Sequence, residues 1–201
     1  MQPKPGSGLK KLSTNHDVTY PLWSVAITPD HKKIITAGGD KEAKVYQLAH
    51  NTITLEDTIV TQHTKSIRSV AVSPDGTLLA FASFDSSVSI WLCDDDVYDC
   101  VSVLEGHENE VKCVDWHPER NYIATCGRDK SVWVWEYSDL YEFYCISIIN
   151  AHTQDVKHVK WIPERDLLAS CSYDDTIKIW KKDEADEDDE YYSIQSIKAS
   201  L

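Results

Sequence analysis

Four aspartates, Asp40, Asp85, Asp129 and Asp174, each follow a short apolar run, and they stand 45, 44 and 45 residues apart. An aromatic residue comes six positions after each of them, as Tyr46, Trp91, Trp135 and Trp180. Upstream, His63, His107 and His152 repeat at intervals of 44 and 45. Three independent markers on one period define a tandem repeat. A unit of this length cannot bury its apolar face alone and must stack on its neighbours.

Each unit reads as short strands. In the third, Val111–Trp116 is followed by the turn His117-Pro118-Glu119-Arg120-Asn121, then Tyr122–Cys126, the tight turn Gly127-Arg128-Asp129-Lys130, Ser131–Trp135, and the run Tyr144–Ile149 after a polar loop. Runs rich in β-branched and aromatic residues, bounded by Pro, Gly, Asn and Asp, are strands. In the second unit Ser73-Pro74-Asp75-Gly76 carries strong turn chemistry, because Pro presets φ and Gly accepts a positive one. No window sustains a helical period. The reading is all-β: four blades of a β-propeller, which is partial here or completed by another chain. Residues 1–8 form a polar tail ahead of blades at about 18–61, 62–105, 106–150 and 151–201 within a 9–201 propeller region.

Charge and composition exclude several functions. A net charge of −13 argues against phosphate-backbone binding, which needs a basic stripe, so no nucleic-acid partner is expected. Seven of the eight residues from Asp183 to Glu190 are acidic, and four more acids lie between Cys93 and Cys100; both runs read as solvated loops. The apolar core of a signal peptide and a membrane-length apolar run are both missing, so a cytosolic or nuclear home without a membrane partner is expected. The six cysteines form no CxxC pair. Cys126 matches Cys171 and Cys100 matches Cys145 in repeat position, which fits reduced, small buried hydrophobes better than ligands. Phosphate-loop, HExxH, zinc and iron–sulfur spacings are lacking, and no cofactor or metal site is expected.

His107, Thr125 and Asp129 together contain the parts of an activated nucleophile, and His152, Ser170 and Asp174 repeat them. That recurrence opposes catalysis, since an active site needs one nucleophile in one cleft. No catalytic residue is expected. Gly106-His107 and Trp135, with the strand pattern around them, resemble the WD40 repeat, although Leu92, Glu136 and Lys181 replace the second letter of the signature dipeptide. That resemblance implies structural tetrads tying loop His, strand hydroxyl, turn Asp and Trp indole together: His107, Thr125, Asp129, Trp135, and His152, Ser170, Asp174, Trp180. The second repeat keeps His63, Asp85 and Trp91 but has Phe81 in place of the hydroxyl. The first keeps Thr36, Asp40 and Tyr46, with His16 two residues too far upstream. Blades 1 and 2 are therefore expected to be less tightly stapled than blades 3 and 4.

The residue before each turn Asp, namely Gly39, Phe84, Arg128 and Tyr173, is expected to point outward near the mouth of the central channel, where rigid scaffolds place binding residues. Arg128, Tyr173 and Phe84 are the candidate partner-binding residues, because Arg and aromatics dominate interface energetics. Lys65, Asn109, Glu110, Gln154 and Asp155 lie beside the channel by the same reasoning. The segments Lys65–Ala71, Phe84–Trp91, Gly106–Lys112, Arg128–Trp135, Gln154–Val159 and Ser172–Asp174 are similar to the WD40 subunit of the cytosolic iron–sulfur cluster assembly (CIA) machinery, from about Lys65 to Trp180. The resemblance implies a non-enzymatic scaffold that joins a CIA adaptor subunit and a HEAT-repeat subunit, meets a hydrogenase-like cluster carrier and presents apo iron–sulfur clients. Among family motif residues it points to Arg128 for docking. The competing assignments are another WD40 adaptor, either a ubiquitin-ligase substrate receptor or a chromatin-associated reader, and a hydrolase using His107 or His152. Members of the resembled family have seven blades, roughly 300 residues at 40 to 45 each. With Leu9–Leu12 read as a ring-closing strand and Tyr191–Ile197 completing blade 4, either this is a fragment or further chains, including a second copy in self-association, complete the ring.

Overall fold

The computed structural model describes Thr14 and residues 19–50, 52–95, 97–150, 152–183 and 191–198. The tail, Leu9–Leu12, His16 and most of the Asp183–Glu190 run lie outside them. The described residues form sixteen strands in four antiparallel sheets, each of four strands in sequence order, and no helix. Blade 1 is β1 (Leu22–Ile27), β2 (Lys33–Gly38), β3 (Glu42–Ala49) and β4 (Thr52–Val60). Blade 2 is β5 (Ile67–Val72), β6 (Leu78–Ser83), β7 (Val88–Asp94) and β8 (Val97–Leu104). Blade 3 is β9 (Val111–Trp116), β10 (Tyr122–Gly127), β11 (Val132–Tyr137) and β12 (Phe143–Ile149). Blade 4 is β13 (Val156–Ile162), β14 (Leu167–Ser172), β15 (Thr176–Lys182) and β16 (Tyr191–Lys198), so the run from Tyr191 does complete the fourth sheet.

The first strands line up side by side, β1 on β5, β5 on β9 and β9 on β13, and form the inner wall. Apolar residues on both faces of the middle strands fill the seams between consecutive blades. Ile35, Val45, Leu79, Phe81 and Trp91 pack between blades 1 and 2. Ile90, Val114, Trp116 and Trp135 pack between blades 2 and 3, and Val134, Val159, Leu168 and Trp180 between blades 3 and 4. Burying each such side chain contributes about 2 kcal/mol, so the stacked blades supply the core that one sheet alone lacks. Polar bonds fix the stacking register. Ser24 Oγ accepts from Val70 N at 3.1 Å, Ser69 Oγ accepts from Val114 N at 3.4 Å, and Asp115 accepts from Trp161 N at 2.8 Å.

Turn chemistry sets the functional end of each blade. The residue after each repeat Asp is left-handed: Lys41 (φ 66°), Ser86 (77°), Lys130 (70°) and Asp175 (62°). That conformation is unfavourable for a residue with a side chain. The Asp offsets it by accepting the backbone N–H two residues on, as in Ser87 to Asp85 (3.2 Å), Ser131 to Asp129 (3.1 Å) and Thr176 to Asp174 (3.0 Å). All six cysteines are free. Cys113 and Cys126 are buried, but Cys100 and Cys145 are exposed, contrary to the expectation of buried small hydrophobes. They sit on β8 and β12, the outermost strands, where the alternating side chains have no neighbouring layer to cover them.

Candidate functional site

The loop before each inner strand carries the repeat His, and the turn between the second and third strands carries the Asp, so both reach the same end of the blade. His107 Nδ1 lies 2.6 Å from Asp129 and its Nε2 lies 2.8 Å from Thr125 Oγ1, which accepts from Trp135 Nε1 at 3.0 Å. In blade 4 His152 reaches Asp174 at 2.9 Å and Ser170 at 2.7 Å, and Trp180 donates to Ser170 at 2.9 Å. A carboxylate only accepts, so the network assigns a proton to Nδ1 on the side of the Asp.

Blade 2 overturns the expectation of a looser staple. His63 reaches Asp85 at 3.0 Å, and its Nε2 lies 2.9 Å from Ser89 Oγ, which accepts from Trp91 Nε1 at 2.9 Å. The missing hydroxyl comes from the strand opposite. Phe81 on β6 pairs in register with Ser89 on β7, as Thr125 pairs with Trp133 in blade 3. Aromatic ring and hydroxyl have exchanged strands within one cross-strand pair, and the tetrad is complete either way. Sequence alignment of the repeat cannot find Ser89, because it occupies the Trp133 position; pairing β6 with β7 on paper would have. In blade 1 Asp40 pairs with Lys44. Thr36 Oγ1 and the other Asp40 oxygen have no hydrogen-bond partner among the described residues.

Burial opposes ionisation of these aspartates, yet the hydrogen bonds from Ser87, Thr64 N and His63 hold the Asp85 carboxyl below its ordinary value. Against the same burial, His107 and Ser131 lower Asp129, and Thr176, Thr153 N and His152 lower Asp174. Each tetrad imidazole is therefore clamped between a carboxylate and a hydroxyl. Ser89, Thr125 and Ser170 are 4%, 0% and 2% exposed. Each hydroxyl oxygen is occupied by an indole N–H, so a Ser–His–Asp geometry here presents no free nucleophile to a substrate.

The turn residues expected to face outward do so unevenly. Gly39, Phe84, Arg128 and Tyr173 use their N–H groups alike, donating to Pro21, Ser66, Glu110 and Asp155 carbonyls at 2.9–3.0 Å. Arg128 and Tyr173 are exposed. Phe84 is half-buried in its turn, a correction to its place among exposed aromatics. Around Arg128 and Tyr173 the inner strands add residues that sequence reasoning passed over. Arg128 contacts both Glu110 oxygens at 3.2 Å. Lys112 pairs with Asp155, and Lys157 Nζ sits 3.3 Å from the centre of the Tyr173 ring. The Lys157 contact also holds the Tyr173 hydroxyl below its ordinary pKa. Arg68, Lys112 and Lys157 occupy one repeat position, and that recurrence of basic residues was the available signal. The result is a patch in which three cations pair with Glu110 and Asp155 around one exposed aromatic, at the blade 3–blade 4 mouth.

A family model described as WD domain, G-beta repeat matches residues 9–47, 55–91, 98–136 and 143–181. The chain is 44% identical over 142 residues to a probable cytosolic iron-sulfur protein assembly protein 1 of Kluyveromyces lactis, covering 67% of this chain and 41% of that protein. It is 51% identical over 116 residues to a probable cytosolic Fe-S cluster assembly factor of Schizosaccharomyces japonicus, covering 57% of this chain and 19% of the relative. A Caenorhabditis elegans relative, named probable cytosolic iron-sulfur protein assembly protein CIAO1 homolog, is 41% identical over 125 residues, with coverages of 60% and 37%. The chain spans less than half the length of these relatives.

Proposed function

The chain belongs to the WD-repeat family, and from that premise we propose that it is a non-enzymatic docking scaffold of cytosolic iron–sulfur protein assembly, helping to deliver clusters to apo-proteins. The observation that carries this reading is the identity of 41–51% with proteins named for that assembly. Two further features support a scaffold over a catalyst: the tetrad hydroxyls are buried and hydrogen-bonded, and exposed Arg128 and Tyr173 stand on turns pinned by Asp129 and Asp174. Rigidly held Arg and aromatic side chains are the types that anchor interfaces. The proposed partners are an adaptor subunit, a HEAT-repeat subunit, a hydrogenase-like cluster carrier and apo iron–sulfur clients, with the cluster as cargo. The proposed setting is cytosolic, extending to the nucleus.

Affinity capture from cytosol, read by mass spectrometry, tests the reading. Recovery of the adaptor and HEAT-repeat subunits is expected, and Arg128→Glu should weaken that recovery while leaving thermal unfolding unchanged. Recovery of ubiquitin-ligase or chromatin assemblies in their place overturns it. Undiminished capture by the variant removes Arg128 from the interface. Self-association is a separate proposal, motivated by the exposed Trp23, Val25 and Ile27 on β1. Light scattering should then give twice the 22.9 kDa chain mass, and a monomer mass rules it out.

A further inference from the structure

An open cavity of about 340 Å³ on blade 2 is lined by Gln62, His63, Ser87, Ser89, Trp91 and Val103, with Cys100 at its edge. This lies in the size range of small-ligand sites. Blade 3 shows what such a space holds. There Trp133 stacks 4.8 Å from the His107 ring and 5.4 Å from the Trp135 ring, and its Nε1 donates to Ser131 Oγ at 2.8 Å. The outer edge of its ring lies over Gly106, so close that a Cβ there would stand 2.5 Å from it. Moved back by 44 residues, Gly106, His107, Ser131 and Trp135 become Gln62, His63, Ser87 and Trp91, and all four line the cavity. Trp133 itself becomes Ser89. The exchange of Phe81 and Ser89 that completed the tetrad has thus vacated the place of an indole.

We propose that this cavity is a binding site for an aromatic side chain bearing a ring N–H or O–H, the Trp or Tyr of a docked partner segment. The ring lies beside the covered His63 imidazole, against Val103 and the exposed rim of Trp91, and donates to Ser87 Oγ. Ser87 donates its own proton to Asp85 at 2.7 Å, as Ser131 does to Asp129 at 2.6 Å, and lies 3.3 Å from His63 Nδ1, which still leaves one acceptor lone pair for the ligand. Gln62 carries a side chain where Gly106 has none, so the entering ring lies farther out than Trp133, toward Val103, which pairs with Ser89 across β7 and β8. An acceptor at Ser87 beside the apolar Val103 and the rim of Trp91 favours an aromatic ring with a polar handle over an aliphatic occupant. That the ring arrives on a protein partner rests on the docking role; the affinity of the cavity for the ring does not.

The test uses N-acetyl-tryptophanamide and N-acetyl-tyrosinamide as probes, with N-acetyl-leucinamide as control. Saturable shifts of the His63 ring and Trp91 indole resonances are expected with the aromatic probes alone; equal shifts with the leucine compound, or none with any, overturn the site. The chain carries an internal control. Cys100 pairs with Trp91 beside the cavity, while Cys145 pairs with Trp135 beside the space that Trp133 already fills. Saturating probe should slow maleimide alkylation of Cys100 several-fold and leave Cys145 unchanged; equal rates at both refute the proposal. The triple variant Gln62→Gly/Phe81→Thr/Ser89→Trp rebuilds the blade 3 arrangement, including the glycine beneath the ring, and should abolish both shifts and protection, and their persistence also refutes it. Should that variant fail to fold, the cysteine contrast on the unaltered chain still decides. Failure of affinity capture alone counts against the docking role and not against the cavity.

Discussion

Blades 2 and 3 satisfy the same four polar groups with their bulky and polar side chains on opposite strands. In blade 3 Thr125 on β10 supplies the hydroxyl and Trp133 on β11 roofs the imidazole; in blade 2 Ser89 on β7 supplies it and Phe81 on β6 fills the core, 6.5 Å from Trp91 in an edge-on contact. What matters to the fold is that the buried imidazole, carboxylate and indole each find a partner, since an orphaned group costs about 1–3 kcal/mol. Which strand provides the oxygen is a free choice, because directly opposed residues on antiparallel strands share a face. The choice nevertheless has a consequence at the surface: both imidazoles are equally buried, but blade 3 covers its own with Trp133 and blade 2 has a cavity bordered by Gln62, Ser87 and Val103 beside its own.

The comparison is most severely broken by Phe81→Thr, which removes a fully buried ring and should destabilise by about 3–4 kcal/mol, read as a urea midpoint shift. Adding Ser89→Trp in a Gln62→Gly background should recover part of that loss, so the combined variant is less destabilised than the sum of the singles. Strict additivity would mean that the two positions do not exchange roles. Next, His63→Ala and His107→Ala should each cost about 2–3 kcal/mol by stranding a carboxylate and a hydroxyl, with the larger loss at His107, which also forfeits Trp133 stacking. Comparable losses would establish that the two staples are equally strong despite different wiring.

Acid should weaken blades 2, 3 and 4 together. Asp85, Asp129 and Asp174 are held below the ordinary carboxylate value. Their stabilisation is therefore complete above the unfolded-state value of about 3.9 and is lost as pH falls through the lower folded-state values. Unfolding midpoints should be level from about pH 6 to 5 and drop below about pH 4; a flat profile down to pH 3 would contradict the clamp. The smallest effect is expected at Arg128→Ala, whose exposed ion pair with Glu110 should be worth under about 0.5 kcal/mol. A thermal scan indistinguishable from the parent keeps that residue available for docking.

The period of 44–45 residues by itself determined the four-sheet architecture, the His–Asp–Trp positions and the turns that present Arg128 and Tyr173. Such features recur because each blade must meet the next in the same way, so they are written along the chain as spacing. Cross-strand partnership is not written that way. Ser89 as tetrad hydroxyl, Lys157 on Tyr173, the half-buried Phe84 and the exposed Cys100 and Cys145 depend on which residue lies opposite or above, and on whether a further layer covers it. Packing decides those questions, because burial and hydrogen-bond satisfaction are properties of neighbours in space. A substitution on one strand is answered on another, and only the folded sheet shows that Phe81 and Ser89 answer each other.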